Sequence, residues 1–391
     1  MQQMYGHELF HHMIAALALL ASLASLLYLG CAVLCTRAFG RGQRLSPSAG
    51  PPVTILKPVS GSEPFLYENL RSFCDQEYPL FQVVFGVRGA EDPALAVIER
   101  VMRDFPDRDL ALVVNDRVVG RNYKVSNLVN MYSAAKHDLL VIADSDMRVE
   151  RTYLAKVVRP LAEPGVGVVT CLYSGQPRGG MWSTLGAMFV NEWFMPSILV
   201  ARAWGAAPYC FGATMAVRRE VLQAIGGLQA LASYLADDYM LGALVNARGL
   251  GVKLSTYVVE NIISEPSLKS LFYHELRWAR TVRSVRPVGY SLSFVTYALP
   301  VSCVYLVVSS FSVLGTAVFG AALALRLAVH YVARRSLALS GRATPWLVPV
   351  RDVLCFVVWA TSFLGWTVRW RGQELSVRPG GRLRMEGEYP T

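Results

Sequence analysis

Hydrophobic and polar positions divide the chain into three zones. From residue 13 to residue 35 the run MIAALALLASLASLLYLGCAVLC carries no charge and is long enough to cross a bilayer. Between residues 45 and about 290 hydropathy drops, and short apolar runs alternate with helical patterns. Strands are predicted at 53–56, 82–87, 110–114, 139–143 and 166–172, with helices at 65–73, 94–105, 126–135 and 152–161 between them. Such alternation predicts an α/β domain on a mostly parallel sheet. From residue 291 the chain turns apolar again, first over 294–311 and then over 313–332, split at Gly315, which predicts a hairpin of two spans. A last apolar run, 350–368, contains Asp352. The boundaries that follow are an anchor over 1–45, a working domain over 46–290 and membrane helices with a basic tail over 291–391.

Inside the working domain, 182–204 departs from the pattern. It is apolar and aromatic, yet Asn191, Glu192 and Arg202 interrupt it. A helix lying in the plane of the membrane interface is expected, with buried core or the wall of a substrate groove as the alternative.

Composition supports several bilayer segments: 53% of residues are hydrophobic and only 17% charged. The formal net charge of +10 fits nucleic acid or an anionic membrane face, and with spans present the membrane is preferred and nucleic acid set aside as a partner. The seven cysteines are scattered without CxxC pairs, so they read as reduced and structural, with no zinc or iron site. A cleaved signal peptide is disfavoured because the first apolar run exceeds a usual signal core and no basic residue precedes it. Arg37, Arg41 and Arg44 follow that run, so the working domain is expected on the cytoplasmic side, in a bacterial inner membrane or a eukaryotic endomembrane. SPSAGPP at 46–52 reads as a flexible link. The tail RWRGQELSVRPGGRLR poses a conflict. Its charge places it inside, whereas a third uninterrupted crossing would place it outside. Either the last apolar segment is re-entrant or in-plane, or the tail violates the rule.

Four clusters offer chemistry. The run LLVIA at 139–143 stops at Asp144 and Asp146, where an open α/β sheet holds ligands, and two hard oxygen donors there suit a divalent cation and a nucleotide diphosphate. An ordinary turn with solvated acids is the alternative. Glu91 and Asp92 follow the strand QVVFGV, where a carboxylate can accept from a base or ribose or can cap the helix after Pro93. Asp237 and Asp238 open a helical pattern. Their repulsion suits a general base, while acids in a first turn also favour the helix dipole. In HELRW, His274 lies beside Arg277 and Trp278 on one helical face. Arginine there can bind a diphosphate and tryptophan can wall a sugar. Arg280, Arg283 and Arg286 beyond it are expected at lipid headgroups.

The ordered set ILKPVSG, ENLRSFCDQEYP, EDPA, KVSN, DSDMRV, DDYMLG and RW, with WRG in the tail, resembles the ceramide glucosyltransferases and the related bacterial hopanoid-associated glycosyltransferases. The resemblance covers almost the whole length. It implies a GT-A sheet domain between membrane helices, and an inverting transfer of a hexose, glucose or N-acetylglucosamine, from a UDP-sugar to a hydroxyl of a membrane lipid. It further implies that Asp92 and Lys124 serve the nucleotide and that Asp144 and Asp146 serve a cation (Mg2+ or Mn2+) and the diphosphate. Asp238 would be the base, with His274, Arg277 and Trp278 about the donor. The family's last motif usually opens with Gln or Arg, so His274 is a departure and its role stays open. A processive polysaccharide synthase and an inactive lipid-binding membrane protein are the rival readings. Neither the sugar nor the lipid is legible.

Overall fold

The computed structural model describes residues 2–41, 50–206, 208–339, 341–370 and 373–384, so part of the expected link at 46–52, Arg44 and part of the WRG motif lie outside the described residues. The chain divides into two compact units.

One unit, 42–178, 207–264 and 375–391, holds an eight-stranded sheet. Its strands are β1 (Val53–Pro58), β2 (Phe81–Val87), β3 (Asp109–Val114), β4 (Leu139–Ile142), β5 (Met147–Arg148), β6 (Val166–Pro177), β7 (Met215–Arg218) and β8 (Gly251–Ile263). They lie in the order β3-β2-β1-β4-β7-β6-β8-β5. β1, β2, β3 and β4 pair in parallel, as do β6 and β8, whereas β7 runs antiparallel to β4 and β6, and β5 to β8. All five strands predicted above form. The three not predicted, β5, β7 and β8, each have an antiparallel partner.

Successive side chains on a strand face opposite ways. Along β1, Val53 and Ile55 join one core layer, with Phe73, Ile98 and Tyr153, while Leu56 joins the other, with Val125, Leu128 and Leu241. Helices Leu66–Cys74, Ala94–Asp104 and Tyr153–Val158 supply the first layer, and Tyr123–Met131 and Asp237–Ala247 the second. With both faces covered, β1, β2 and β4 are buried throughout, which is why they read as mainly apolar runs. The helix expected at 126–135 starts earlier, at Tyr123, because Asn122 caps it by accepting from the Val125 N–H at 3.1 Å.

The second unit, 1–41, 179–206 and 265–374, is helical. Among the described residues three helices are long and apolar enough to cross a membrane, His7–Arg41, Met181–Ala203 and Val313–Ser336, and the bent pair Pro287–Thr296 and Ala298–Val308, angled by 65°, forms a fourth candidate. These fit a membrane protein. The segment expected at 182–204 forms the helical stretch Met181–Ala203, most of whose apolar part is buried. The break between the last two spans falls at Ser310 and Phe311, both with positive φ, rather than at Gly315, which sits in the first helical turn and donates to the Ser312 cap at 3.0 Å. Val348–Ser362 has 15 residues, or about 22 Å at 1.5 Å per residue, short of the ~30 Å hydrocarbon layer.

Several charges buried in this unit are paired, as a low dielectric favours. Arg326 donates to Asp352 at 2.8 Å, Glu192 meets His330 at 2.7 Å, and Arg351 grips both oxygens of Glu275 at 2.8 and 2.6 Å. Glu192 is aimed inward from a π-helical turn, Val190–Phe194. Arg280, Arg283 and Arg286 donate to the carbonyls of Thr367, Gly365 and Ala206. The headgroup role expected for them is corrected for Arg283, which is buried with its guanidinium 3.9 Å from the Trp366 ring.

Candidate active site

At the carboxyl end of β4 the chain leaves the sheet through Asp144, Ser145 and Asp146. Lys124, on the helix Tyr123–Met131, lies 2.7 Å from Asp144 Oδ1 and 3.1 Å from Asp237 Oδ2. The second contact is an ion pair without hydrogen-bond alignment. Burial opposes charge on Lys124, but Asp144, Asp237 and Asp238 outweigh it and hold the ammonium well above its ordinary pKa.

Gly212 joins the two acidic clusters. Its N–H donates to Asp238 Oδ2 at 2.9 Å, and its carbonyl accepts from the Asp144 N–H at 3.2 Å. A β-carbon there would run into the Asp144 carboxylate, so only glycine fits. Gly242 permits a similar approach, since a β-carbon would lie 2.6 Å from Tyr209 Cα, in the segment leading to Gly212. The other Asp238 oxygen accepts from the Tyr239 N–H at 2.7 Å. Burial, with Asp237 beside it, pushes Asp238 up to about 6 despite Lys124. Asp144, Lys124, Asp237 and Asp238 are thus brought together.

Asp146 accepts from Asn261 Nδ2 of β8 at 2.8 Å, and Ser145 Oγ donates to Glu63 at 2.7 Å. Burial, then the charges of Asp144 and Glu63, push Asp146 up to about 6. Lys57, fully buried at the end of β1, donates to the Asp144 carbonyl and sits 3.6 Å from the centre of the Phe73 ring. Burial pushes Lys57 down to about 7, with Asp146, Asp144 and Glu63 acting against it. Around these two lysines stand five carboxylates, Glu63, Asp144, Asp146, Asp237 and Asp238, a surplus of negative charge. Among the described residues no group of three or more His, Cys, Asp and Glu side chains is placed to hold a metal. Asp144 and Asp146 are nonetheless hard oxygen donors, the type a divalent cation takes, in a cluster of excess negative charge.

Asp92 occupies the capping position weighed above, accepting from the Ala94 N–H at 2.9 Å. The same oxygen accepts from the Gly61 N–H at 2.8 Å, which ties it to the loop after β1 that also carries Glu63.

His274, Arg277 and Trp278 lie in the helical unit, on Leu268–Val285. His274 Nδ1 meets Glu265 Oε1 at 2.7 Å, and Ser270 donates to the other Glu265 oxygen at 2.6 Å. Burial would raise Glu265, but these two partners outweigh it and hold the carboxyl below its usual value. The His274 ring lies on Trp278 with centroids 4.3 Å apart, and Trp278 stacks on Phe189 at 5.7 Å.

Sequence reading did not single out Lys57, Glu63, Gly212, Asn261 or Glu265. A lone lysine inside the apolar run VTILKP and a lone asparagine in VVENII were signals. Gly212 gave none.

The sheet order and the acids at its carboxyl edge define a fold of the GT-A type. A mannosyltransferase of Pyrobaculum calidifontis, solved in complex with GDP-Man and Mn2+, shares it, with a TM-score of 0.50, 20% identity, and coverage of 90% of this chain and 99% of that one. The pattern of glycosyl transferase family 21 matches residues 16–383, and the chain belongs to that family. It is similar to ceramide glucosyltransferase 1 of Caenorhabditis elegans, 25% identical over 238 residues, which are 61% of this chain and 51% of that protein. It is also similar to the ceramide glucosyltransferase of Komagataella phaffii, 36% identical over 113 residues, 28% of this chain and 22% of that protein. The chain spans about half the length of the Caenorhabditis relative.

Proposed function

We propose that this chain is an inverting glycosyltransferase that moves a hexose from a UDP-sugar to a hydroxyl of a membrane lipid, ceramide or a hopanoid. One observation carries the reading: Asp144, Lys124, Asp237 and Asp238 form one charged run across Gly212 at the carboxyl edge of the sheet. An inactive binder has no need of Asp238, half-buried and raised to about 6, a value that suits a base working near neutrality.

Asp238 takes the proton of the lipid hydroxyl as its oxygen attacks the anomeric carbon from the face opposite the diphosphate, so one displacement inverts that centre. Asp144 and Asp146 would hold a divalent cation, Mg2+ or Mn2+, which when bound offsets diphosphate charge. Lys124 and Asp92 serve the nucleotide, and Arg277 and Trp278 the leaving group and sugar. His274 joins the donor contacts with Glu265 fixing its ring. Placing the sheet unit on the cytoplasmic side, by the charge of Arg37 and Arg41, gives it access to a soluble donor.

Purified protein supplied with labelled UDP-glucose or UDP-N-acetylglucosamine and with ceramide or a hopanoid tests the reading. Label is expected in a single-sugar lipid and is lost on chelation. Asp238→Asn is expected to bind the UDP-sugar and transfer nothing. A polymeric product would favour the processive synthase, and binding without transfer by the unaltered protein would favour the inactive binder.

A further inference from the structure

After the last apolar helix the chain returns to the sheet unit and closes a small hairpin. Val377 pairs with Leu383 and Ser376 with Arg384. The Gly381 N–H donates to the Arg378 carbonyl at 2.9 Å, closing the turn over Pro379 and over Gly380, whose φ is +84°. Proline at the second position and a positive-φ glycine at the third are what such a turn requires. Leu375, Val377 and Leu383 are buried.

The hairpin's outer edge does not face water. Its backbone bonds the loop that leads into Asp237 and Asp238. The Leu235 N–H donates to the Gly381 carbonyl at 3.0 Å, and the Leu383 N–H to the Ser233 carbonyl at 2.9 Å. Arg382 Nε donates to the Tyr234 hydroxyl at 3.2 Å. From the opposite side, the Arg121 and Asn122 N–H groups donate to the Ala232 carbonyl at 2.9 and 2.8 Å. Asn122 Nδ2 reaches the Tyr234 carbonyl at 2.8 Å and Asp237 Oδ1 at 3.3 Å. Arg121 Nη1 also donates to the Leu383 carbonyl at 3.3 Å, which closes the ring. Residues 232–237 are therefore clamped between the Asn122 cap and the tail.

We propose that residues 375–384 are a positioning strap for the loop carrying Asp237 and Asp238, and that the chain therefore comes back after its last apolar helix to the side of the bilayer that holds the sheet. The strap touches no substrate and acts by fixing where Asp238 stands relative to Gly212. A small displacement of a base is costly in rate because its proton transfer needs hydrogen-bond reach. The topological half follows from parity. The chain leaves the sheet unit after Ser264 and rejoins it at Leu375, so residues 265–374 cross an even number of times. Pro287–Val308 and Val313–Ser336 supply two crossings, and the 15-residue helix Val348–Ser362 does not cross. By the same parity Met181–Ala203, which also starts and ends at the sheet unit, does not cross alone. The basic tail and Arg41 then lie on one side, and the conflict with the charge rule disappears.

The kinetic half rests on the assignment of Asp238 as base, and the topological half does not. Leu383→Pro removes the N–H that Ser233 accepts, whereas Leu383→Ile keeps it. For Leu383→Pro we expect kcat to fall about tenfold or more with donor KM within about twofold, the acid limb of the pH–rate profile displaced, and Leu383→Ile close to the unaltered protein. Unchanged kcat, or kcat and donor binding lost together in proportion to the folded fraction, overturns the strap. If Asp238→Asn still transfers sugar, the base assignment fails instead. For topology, cysteines replacing Asp107 and Glu388, in a chain lacking Cys31, Cys35 and Cys303, are labelled in sealed vesicles with an impermeant maleimide. Both are expected to react from the same side, and reaction from opposite sides overturns the return of the tail.

Discussion

Replacing Asp238 by asparagine separates the demands of chemistry from those of folding. In the folded protein the carboxyl is raised from 3.8 to about 6, chiefly by burial and then by Asp237. An acid whose folded pKa lies above its unfolded one binds its proton more tightly when folded. Its contribution is therefore most favourable below the unfolded value and is lost as pH rises through about 6. The shift corresponds to roughly 3 kcal/mol of stability that the unaltered chain gives up between about pH 4 and pH 8. Asparagine does not titrate, but it has one acceptor oxygen where Asp238 accepts from both Gly212 and Tyr239. One backbone N–H then loses its partner, at about 1–3 kcal/mol at every pH. Asp238→Asn is therefore expected to be less stable than the parent near pH 4 and to recover by roughly 3 kcal/mol toward pH 8. Urea unfolding of detergent-solubilised, chelator-treated protein, followed by far-ultraviolet circular dichroism, reads this difference. Tryptophan fluorescence does not, because all eight tryptophans lie outside the sheet unit. A difference between the two proteins that stays flat with pH, or widens toward alkaline pH, would refute the reasoning. In the active protein the same titration predicts that kcat/KM falls with unit slope below about pH 6.

Three substitutions extend this. Gly212→Ala drives a methyl into the Asp144 carboxylate, 3.3 Å from Lys124 Nζ, and is expected to lower turnover about a hundredfold while the sheet unit stays folded by hydrogen exchange. Lys124→Met leaves Asp144 and Asp237 without their shared cation and should cost about 3 kcal/mol in urea unfolding, with a cost under about 1 kcal/mol placing the pair among solvated surface contacts instead. Arg351→Met strands the buried Glu275 carboxylate and is expected to cost about 3–5 kcal/mol, most of it recovered in the double variant Arg351→Met, Glu275→Met. Thermal unfolding in detergent checks the recovery, and a double variant no more stable than the single one counts against it.

What was legible in the sequence is what is local. Strands β1, β2 and β4 are covered on both faces, so burial dictates most of their composition, and each reads as a mainly apolar run ended by turn residues. Asp144 and Asp146 were visible because they interrupt such a run at its carboxyl end. β7 and β8 were not, because their polar residues answer to distant partners: Thr214 just before β7 bonds Thr170, and Asn261 of β8 bonds Asp146. The RPGG turn of the tail was local and readable, but its neighbourhood of arginines drew attention to the membrane surface. Arg283 misled for the same reason, since a long basic side chain satisfies a backbone carbonyl as readily as a phosphate.

Lys57 shows how such a miss becomes a rule of inference. A lysine near the end of VTILKP has nowhere to go within a doubly covered sheet, because both layers above and below β1 are hydrocarbon. Its ammonium reaches only past the strand's end, where it finds the Asp144 carbonyl, with Asp146 and Glu63 near enough to favour its charge. Neutralising the burial of one cation thus requires acids at that edge. A charged residue in an otherwise apolar parallel strand therefore points to the site as directly as the aspartates do. Asn261 repeats the logic from β8, where its amide reaches Asp146. A fold that buries these two polar groups at one sheet edge is held to that geometry by the same carboxylates it presents to a ligand. Lys57→Met is then expected to raise the Asp146 pKa further and weaken Mn2+ binding measured by calorimetry, while Lys57→Arg, too large for the space beside Phe73, does not restore it.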